Sequence, residues 1–418
     1  MPSTGNLRSG VSWLSSSSAE IARARDVLKT LTPGGVIDEL GFLLLQAPFA
    51  DHFYPAVTTP MTRARYLIFI PAIYQHLEQS GKAAGKDADR VSRDFQFELL
   101  KALLKNEPRA IGMESGRMIV RTPSEIYWNA LAALGVATQR VSESSYQSHL
   151  SAGAFGSRVR HDDDGAAHDD DTESLWNASC RLSSVVPGGV FPDSTNFRLR
   201  KAEAIFLQTQ YGGLKPRGQD SLITHLISLA REKRLQNFEA LEHLWDIPAL
   251  PTATAAAADH SRRLSLFARG TTLQYHRMLI EKKKVVDTGA AEAFVAWFEY
   301  AQDDLARWDV DAFLALIQQW NAAPRSRDRE FIKEWIARAV AAKSGQQSLD
   351  DAAARTIIGR REDYVRPGKQ RLRGGLQLDS WNPLTSYPDD VFFQLENRHR
   401  VGRTFAQDIA EGLDRGAA

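Results

Sequence analysis

Apolar residues recur at helical spacing along most of the chain, and helix-start and helix-stop residues bound these segments. The pattern predicts helices over residues 17–31, 123–134, 197–210, 220–231, 260–281, 291–305, 310–320, 327–341 and 402–413. Thr122 and Glu125 have the spacing of a capping box at a helix N-terminus. Thr59 and Pro60 have the pattern of an N-cap and a first helical residue, and Pro71 predicts a kink or an end to that helix.

The N-terminal half carries one pattern beyond plain helices. Gly135 is placed to end the helix that begins after Thr122, and a β-like segment, Val136–Val141, follows it. Helix, glycine and strand in this order resemble the end of a winged-helix module. The sequence therefore predicts a mainly α fold, with winged-helix-like elements in the N-terminal half and a helical C-terminal half.

An acidic stretch, His161–Glu173, divides the chain. It has neither apolar residues for a core nor any periodicity, so it predicts a mobile linker. Its histidines and aspartates could ligate a divalent cation, but their spacing is not that of a site, and we expect no metal. The predicted organisation is an N-terminal domain at 1–158, a linker at 159–190, a helical domain at 191–345 and a basic segment at 346–418.

The composition indicates the cell compartment of the protein but does not decide whether it binds nucleic acid. The 418 residues contain 52 Lys and Arg against 51 Asp and Glu, so the net charge of +1 neither suggests nor excludes nucleic acid. A single cysteine, Cys180, excludes an intramolecular disulfide, and no apolar segment has the length of a membrane span or of a signal peptide core. We expect a cytoplasmic protein that does not contact a membrane.

Positive charge is concentrated between residues 355 and 373. The basic residues there are Arg355, Arg360, Arg361, Arg366, Lys369, Arg371 and Arg373, opposed by Glu362 and Asp363. Such a stripe is either a solvated surface or a set of phosphate contacts. We predict that Arg360, Arg361, Arg371 and Arg373 bind DNA.

The segment from Asp38 to Tyr74 combines turns, apolar runs and paired arginines. Its motifs are Asp38–Gly41, Ala50-Asp51, Phe53-Tyr54-Pro55 and Thr62–Tyr66, and further motifs follow at Pro123–Trp128 and Asp408–Leu413. As a set they resemble the signature of a bacterial family known only as a domain of unknown function. Members of that family look like components of phage-defence loci. The resemblance implies a DNA glycosylase that excises glucosylated hydroxymethylcytosine from double-stranded phage DNA and needs no cofactor.

Hydrolysis of an N-glycosidic bond needs little machinery, because one carboxylate can stabilise the cationic sugar while it or an amide positions water. Asp51 is the first candidate, since it precedes an aromatic-proline turn, and Gln46 and Glu39 are the next. The alternative for Asp51 is a turn cap or an ion pair with Arg63 or Arg65. The chain lacks the usual motifs of ATP binding, zinc proteolysis and α/β-hydrolases.

DNA contacts are predicted for residues around the same motif. These are Thr62, Arg63, Arg65, Tyr66, Tyr127 and Trp128, with the arginines on phosphates and the aromatic rings stacked on an extruded base. The structural alternatives are ion pairs of the arginines with Asp38 or Glu39 and a place in the core for the rings. The rival function is a non-catalytic DNA-binding subunit of a phage-defence system.

Overall fold

The computed structural model describes residues 38–105, 121–154, 159–161, 167–169, 175–177, 192–320, 324–342, 352–387 and 397–415. Over these ranges the chain forms fourteen α-helices and two three-residue strands, which confirms the predicted mainly α fold. The helix predicted at residues 17–31 lies outside the described residues, as does most of the acidic linker. The proposed domain boundaries therefore stay a prediction.

The elements of the first half are α1 Leu43–Phe53, α2 Tyr66–Ser80, α3 Ala88–Leu104, α4 Pro123–Ala133, α5 Glu143–Ser151, β1 Val159–His161 and β2 Ala167–Asp169. The two strands pair antiparallel, with Val159 opposite Asp169. The second half contains α6 Lys201–Gly213, α7 Leu222–Arg231, α8 Thr252–Lys283, α9 Ala290–Ala306, α10 Val310–Gln319, α11 Ser326–Ala341, α12 Ala352–Val365, α13 Leu376–Asp379 and α14 His399–Asp414. Apolar periodicity located the C-terminal helices within a few residues, apart from α8, which begins eight residues before its predicted start at residue 260.

The helix start predicted at Thr59 and Pro60 is wrong. Helix α2 begins at Tyr66, and it continues through Pro71 to Ser80. The backbone before it is held by tertiary contacts instead of helical ones: the Tyr127 hydroxyl accepts from the amides of Thr62 at 2.9 Å and Arg63 at 3.2 Å. Amides that a helix would use are thus bonded to a side chain from α4.

The capping box at the start of α4 is confirmed, since the side chains of Thr122 and Glu125 each accept from the other residue's backbone amide. Gly135 follows the helix with a φ of +67°, a conformation that glycine adopts without strain. The β-like segment Val136–Val141 makes one isolated bridge, between Ala137 and Trp176, and no strand is found there. The winged-helix detail is therefore not confirmed.

The core is built around α8, whose 32 residues extend for about 48 Å at 1.5 Å per residue. Helices α9, α12 and α1 pack against it. Close approach depends on glycine at two points: a Cβ at Gly270 would overlap the Trp297 ring of α9, and one at Gly402 of α14 would overlap the Tyr54 ring. Helix α14 packs on α6 and α7 and is buried along much of its length.

Helix α1 is fixed at its start by charged side chains. The Asp38 carboxylate accepts from the amides of Phe42 at 2.6 Å and Leu43 at 3.0 Å, which satisfies amides left open at the helix N-terminus. Nε of Arg361, from α12, donates to the Leu40 carbonyl at 2.7 Å. Farther along, Phe49 stacks on Phe313 of α10 with ring centroids 6.0 Å apart. These contacts set the position of the last turn of α1, where Asp51 lies.

Candidate active site around Asp51

Asp51 lies on the outer face of the last turn of α1, with 53% of its side chain exposed. Nη1 of Arg398 donates to its Oδ1 at 2.7 Å. Arg398 is the N-cap residue of α14, so the ion pair joins α1 to the start of a helix far along the chain. The ion pair with Arg63 or Arg65 predicted from the sequence is therefore wrong for Asp51.

A second guanidinium lies beside this pair. Arg217 belongs to the single turn of 3₁₀ helix Pro216–Gly218, and its Cζ is 4.3 Å from the ring centroid of the half-buried Trp320. Burial lowers the pKa of Arg217, and the nearby Asp51 carboxylate counteracts that shift. The carboxylate is therefore close enough to two guanidiniums to interact electrostatically with both.

His52, the residue after Asp51, is buried against Trp320. Its ring stacks on Trp320 with centroids 4.8 Å apart and planes at 27°. Burial, followed by the charge of Arg217, lowers the pKa of His52 to about 4, so the imidazole is neutral at pH 7. Among the described residues, its buried Nδ1 has no hydrogen-bond partner. A buried, neutral ring with an unused polar atom thus lies near Arg217 and follows Asp51 in the chain.

Left-handed backbone conformations meet at this site. Arg217, Asn397 and Arg398 have φ values of +55°, +44° and +64°. Such values are strained for residues other than glycine, and they persist where the surroundings enforce them, often at functional sites. Here Asn397 is anchored by a bond from its Nδ2 to the Ser261 hydroxyl at 2.5 Å. We name Asp51, His52, Arg217, Trp320 and Arg398 the Asp51 cluster.

The cluster combines groups that a nucleic-acid-acting enzyme uses. Its guanidiniums can pair with phosphate, and its carboxylate can stabilise a sugar cation or accept a proton from water, while the indole is covered by Arg217 and His52 and holds them in place. Asp51 was found from the sequence, whereas the other four members were not. Arg217 lies in a Lys-Pro-Arg-Gly turn, and Arg398 lies in the basic segment Asn397–Arg400. These two local patterns are the signals in the sequence by which both arginines could have been found.

The two other catalytic candidates lie elsewhere. Glu39 is buried before the start of α1, where it pairs with Arg371 and lies 2.6 Å from Nε2 of His276. Gln46 is half-buried in the first turn of α1. Asp51 lies eight residues after Leu43 and five after Gln46, so about 12 Å of α1 separates it from the start of the helix and about 7.5 Å from Gln46. The structure does not bring Glu39 to Asp51.

Arg63 and Arg65 are in ion pairs, but not with Asp38 or Glu39. Both Nε and Nη2 of Arg63 bond to Asp408, with 2.7 Å from Nη2 to Oδ1. Nη2 of Arg65 is 3.0 Å from Oε1 of Glu203, and its Nη1 donates to the Asn196 carbonyl at 2.8 Å. The partners predicted from sequence are therefore wrong, although the structural role was among the alternatives.

The aromatic residues predicted to stack on a base lie in the core. Tyr66 and Tyr127 are fully buried with ring centroids 5.3 Å apart. Nε1 of Trp128 donates to the Val141 carbonyl at 2.8 Å. Thr62 is half-buried, and its amide donates to the Tyr127 hydroxyl. These positions match the core alternative, and in this conformation the buried rings present no face to a base.

The basic segment at 355–373 does not form one continuous stripe. Arg361 and Arg371 are buried, and they pair with Asp328 and Glu39 respectively. Arg360 and Arg373 are exposed, and each has an acidic partner, Glu334 for Arg360 and Asp363 for Arg373. Two of the four arginines predicted to bind DNA thus support the interior, and two remain on the surface.

The described ranges contain no group of three or more His, Cys, Asp or Glu side chains placed to hold a metal ion. Within the same ranges, no helix has the length and apolar character needed to cross a membrane. The possible metal ligands of the acidic run lie outside these ranges, apart from residues of β1 and β2 whose side chains are not described.

Comparison with known proteins gives one match. The model of a family of unknown function (DUF6361) matches residues 8–392, which is most of the chain. No curated protein and no solved structure gives a significant match. The matched range includes Asp51, His52, Arg217 and Trp320 and ends before Arg398 and helix α14.

Proposed function

We propose that this chain, which belongs to the family of unknown function DUF6361, is a DNA glycosylase that acts in defence against phage. Asp51 is its catalytic carboxylate, and the modified base that it excises is glucosylated hydroxymethylcytosine. The observation that supports this proposal is the Asp51 cluster: an accessible carboxylate between two guanidiniums, beside an indole ring, on backbone held in left-handed conformations.

In the proposed reaction, water adds to C1′ of the deoxyribose and the N-glycosidic bond breaks. The base leaves with the bonding electrons and gains a proton, and the water oxygen remains on the sugar as the hydroxyl of an abasic site. The transition state has positive charge on the sugar, which a nearby carboxylate stabilises. Asp51 supplies that negative charge and accepts the proton of the attacking water.

The arginines hold the DNA backbone on either side of the reacting sugar. Arg217 and Arg398 each present a guanidinium near Asp51, and such groups bind phosphate through paired, charge-assisted hydrogen bonds. When Arg398 turns to a phosphate, the Asp51 carboxylate is released for the sugar. Trp320 contacts both Arg217 and His52 and so fixes the position of the Arg217 guanidinium. An enzyme with this substrate works in the cytoplasm, where phage DNA is replicated.

One observation favours the rival, a DNA-binding subunit without catalysis. The carboxylate of Asp51 is already neutralised by Arg398 at 2.7 Å, which is an ordinary structural ion pair. In that case the same surface holds phosphates and Asp51 serves only to orient Arg398. The two functions differ in whether a base is released.

The test is incubation of the purified protein with unmodified phage DNA and with phage DNA that carries glucosylated hydroxymethylcytosine, followed by alkali. Strand breaks that appear only after alkali, and only in the glucosylated DNA, are expected because alkali cleaves abasic sites. Asp51→Asn keeps the size of the side chain and removes its charge, so we expect base release to fall by about 100-fold or more while DNA affinity persists.

Asp220→Asn is the matched control. Asp220 is also an ion-paired surface carboxylate, with 51% of its side chain exposed and Lys215 as its partner. Its removal should leave base release unchanged. DNA binding without strand breaks in wild-type protein would favour the non-catalytic subunit, and full activity in Asp51→Asn would exclude Asp51 as the catalytic group.

A further inference from the structure

A cleft of about 340 Å³ opens between α11 and α12, away from the Asp51 cluster. Its volume is at the lower end of the range for small-molecule sites. The lining side chains used below are Arg327, Glu330, Phe331, Glu334, Arg360 and Tyr364. None of them has a part in the proposed excision of a base.

Aromatic rings and guanidinium groups line part of the cleft. The half-buried Tyr364 ring lies 5.3 Å from Cζ of Arg327, and Nη1 of Arg325 donates to its hydroxyl at 3.1 Å. At the base of the cleft, Cζ of the buried Arg361 is 4.9 Å from the Phe331 ring centroid. Aromatic rings and guanidinium planes in this arrangement favour a planar, unsaturated ligand.

Side chains from both α11 and α12 also present charges of both signs to the cleft. Arg360 pairs with Glu334 and lies 3.7 Å from Glu330, so one guanidinium holds two carboxylates at the rim. Over the described ranges, Arg327 is exposed and forms no ion pair. The cleft therefore offers strong hydrogen-bond acceptors beside a cation that is available to a ligand.

We propose that this cleft binds a guanine nucleotide. Guanine carries N1–H and an exocyclic amino group side by side, a pair of donors that one carboxylate of Glu330 or Glu334 can accept, and its O6 and N7 accept from a guanidinium. The purine ring lies against Tyr364, and Arg327 binds the phosphate. A purely anionic ligand would meet repulsion from the two glutamates, and a ligand without planar rings would leave the aromatic wall unused.

This inference does not depend on the proposed glycosylase activity, since it rests on other residues. The nucleotide has two possible sources: a free nucleotide in solution, or one unit of a single strand. Both present the same base and phosphate to the cleft. The experiment must therefore compare them directly.

The experiment measures binding of GMP, UMP, inorganic phosphate and a guanine-containing single-stranded hexanucleotide to the full chain by isothermal titration calorimetry. We expect a Kd for GMP below about 1 mM and a Kd for UMP about tenfold higher or more, because uracil lacks the amino group. A hexanucleotide that binds about tenfold tighter than GMP identifies a strand as the source, and equal or weaker binding identifies the free nucleotide.

Variants locate the site. Tyr364→Leu removes the ring and should weaken GMP binding about tenfold, whereas Tyr364→Phe should keep it. The double variant Glu330→Gln with Glu334→Gln, which neutralises both carboxylates, should weaken GMP binding and leave UMP binding unchanged. Arg234→Ala, in an exposed ion pair with Glu232 just after the end of α7, is the control and should change neither. Thermal midpoints of all variants verify that they are folded.

Three results would overturn the proposal. The first is phosphate binding as tightly as GMP, which would make the cleft a simple anion site. The second is equal affinity for GMP and UMP, which would remove the role of the carboxylates. The third is GMP binding that persists unchanged in a folded Tyr364→Leu protein.

Discussion

Arg63 and Asp408 lie 345 positions apart in the sequence and form a bidentate ion pair, with 2.7 Å between Nη2 and Oδ1 and 3.0 Å between Nε and Oδ2. The same carboxylate accepts from the Ala64 amide at 2.9 Å. Asp408 is nearly fully buried, so its charge is stabilised by these donors and not by water. The pair joins the segment before α2 to α14.

Removal of one partner from this pair should be strongly destabilising. Asp408→Asn leaves the Arg63 guanidinium without its countercharge, and Arg63→Met leaves a buried carboxylate; each is expected to lower the free energy of unfolding by about 3–5 kcal/mol. Urea unfolding of both single variants and of the double variant measures this loss in the free energy of unfolding. Arg234→Ala, at an exposed pair, should cost less than about 1 kcal/mol. Additive losses in the double variant would show that the two side chains are not coupled.

Gly402 tests the close approach of α14 to α1. The methyl group of Gly402→Ala would overlap the Tyr54 ring, which is fully buried. The Tyr54 hydroxyl oxygen is hydrogen-bonded to Nδ1 of His399 at 2.6 Å, so the ring cannot move away freely. We expect a loss of about 1–3 kcal/mol or more in the free energy of unfolding. Gly213→Ala in α6, where a Cβ meets no neighbour, should instead be neutral or stabilising by up to about 1 kcal/mol. Equal effects of the two changes would contradict this packing.

Stability should fall in mild acid because of His399. Its Nε2 donates to the Leu241 carbonyl at 2.9 Å, and its Nδ1 accepts from the Tyr54 hydroxyl. Burial, with Arg403 adding to the effect, lowers the pKa of His399 to about 4, below the value of about 6.5 expected in the unfolded chain. The unfolded state therefore binds the proton first, so the contribution to stability is complete above pH 6.5 and is lost as the pH falls towards 4.

The measurement is urea unfolding at pH 7 and pH 5 for wild type and His399→Gln. The variant lacks the titrating group, so the wild type should lose about 2 kcal/mol more than the variant between these two values. His52, whose pKa is also lowered to about 4, contributes to the background that both proteins share. The same pH dependence in both proteins would assign the loss to other groups.

The four arginines predicted to bind DNA should divide into two classes. Arg361→Ala and Arg371→Ala remove buried partners of Asp328 and Glu39, and they should lower the thermal midpoint by several degrees. Arg360→Ala and Arg373→Ala should leave the thermal midpoint nearly unchanged. If the exposed pair contacts DNA, the double variant reduces the slope of log affinity against log salt by about 2. An unchanged slope would show a solvated surface.

Local signals in the sequence predicted most of the helices, because their apolar periodicity and capping residues act within a few positions. The Thr122–Glu125 box and Gly135 are examples, and both are confirmed. The start of α2 could not be predicted in this way. The amides of Thr62 and Arg63 bond to a tyrosine about 65 residues away, and no local pattern encodes that choice.

The candidate site shows the same limit. The sequence made Asp51 a candidate but gave no sign of its partner, because 347 positions separate Asp51 from Arg398. Which carboxylate meets which arginine is decided by how α1 and α14 pack. Ion pairs of Arg63 and Arg65 were an alternative to the predicted DNA contacts, and only the three-dimensional arrangement names Asp408 and Glu203 as the partners.

The pairing of Arg63 with Asp408 also limits how early the protein can finish folding during its synthesis. At about 5–20 residues per second, a ribosome needs roughly 20–70 s to add the 345 residues that separate the two. Throughout that interval Arg63 has no countercharge from α14, and once α6 and α7 have been synthesised, their surfaces that α14 covers stay open for the rest of it. A nascent chain of this protein therefore cannot complete its fold until α14 has been synthesised, and the buried groups that α14 covers stay exposed until then.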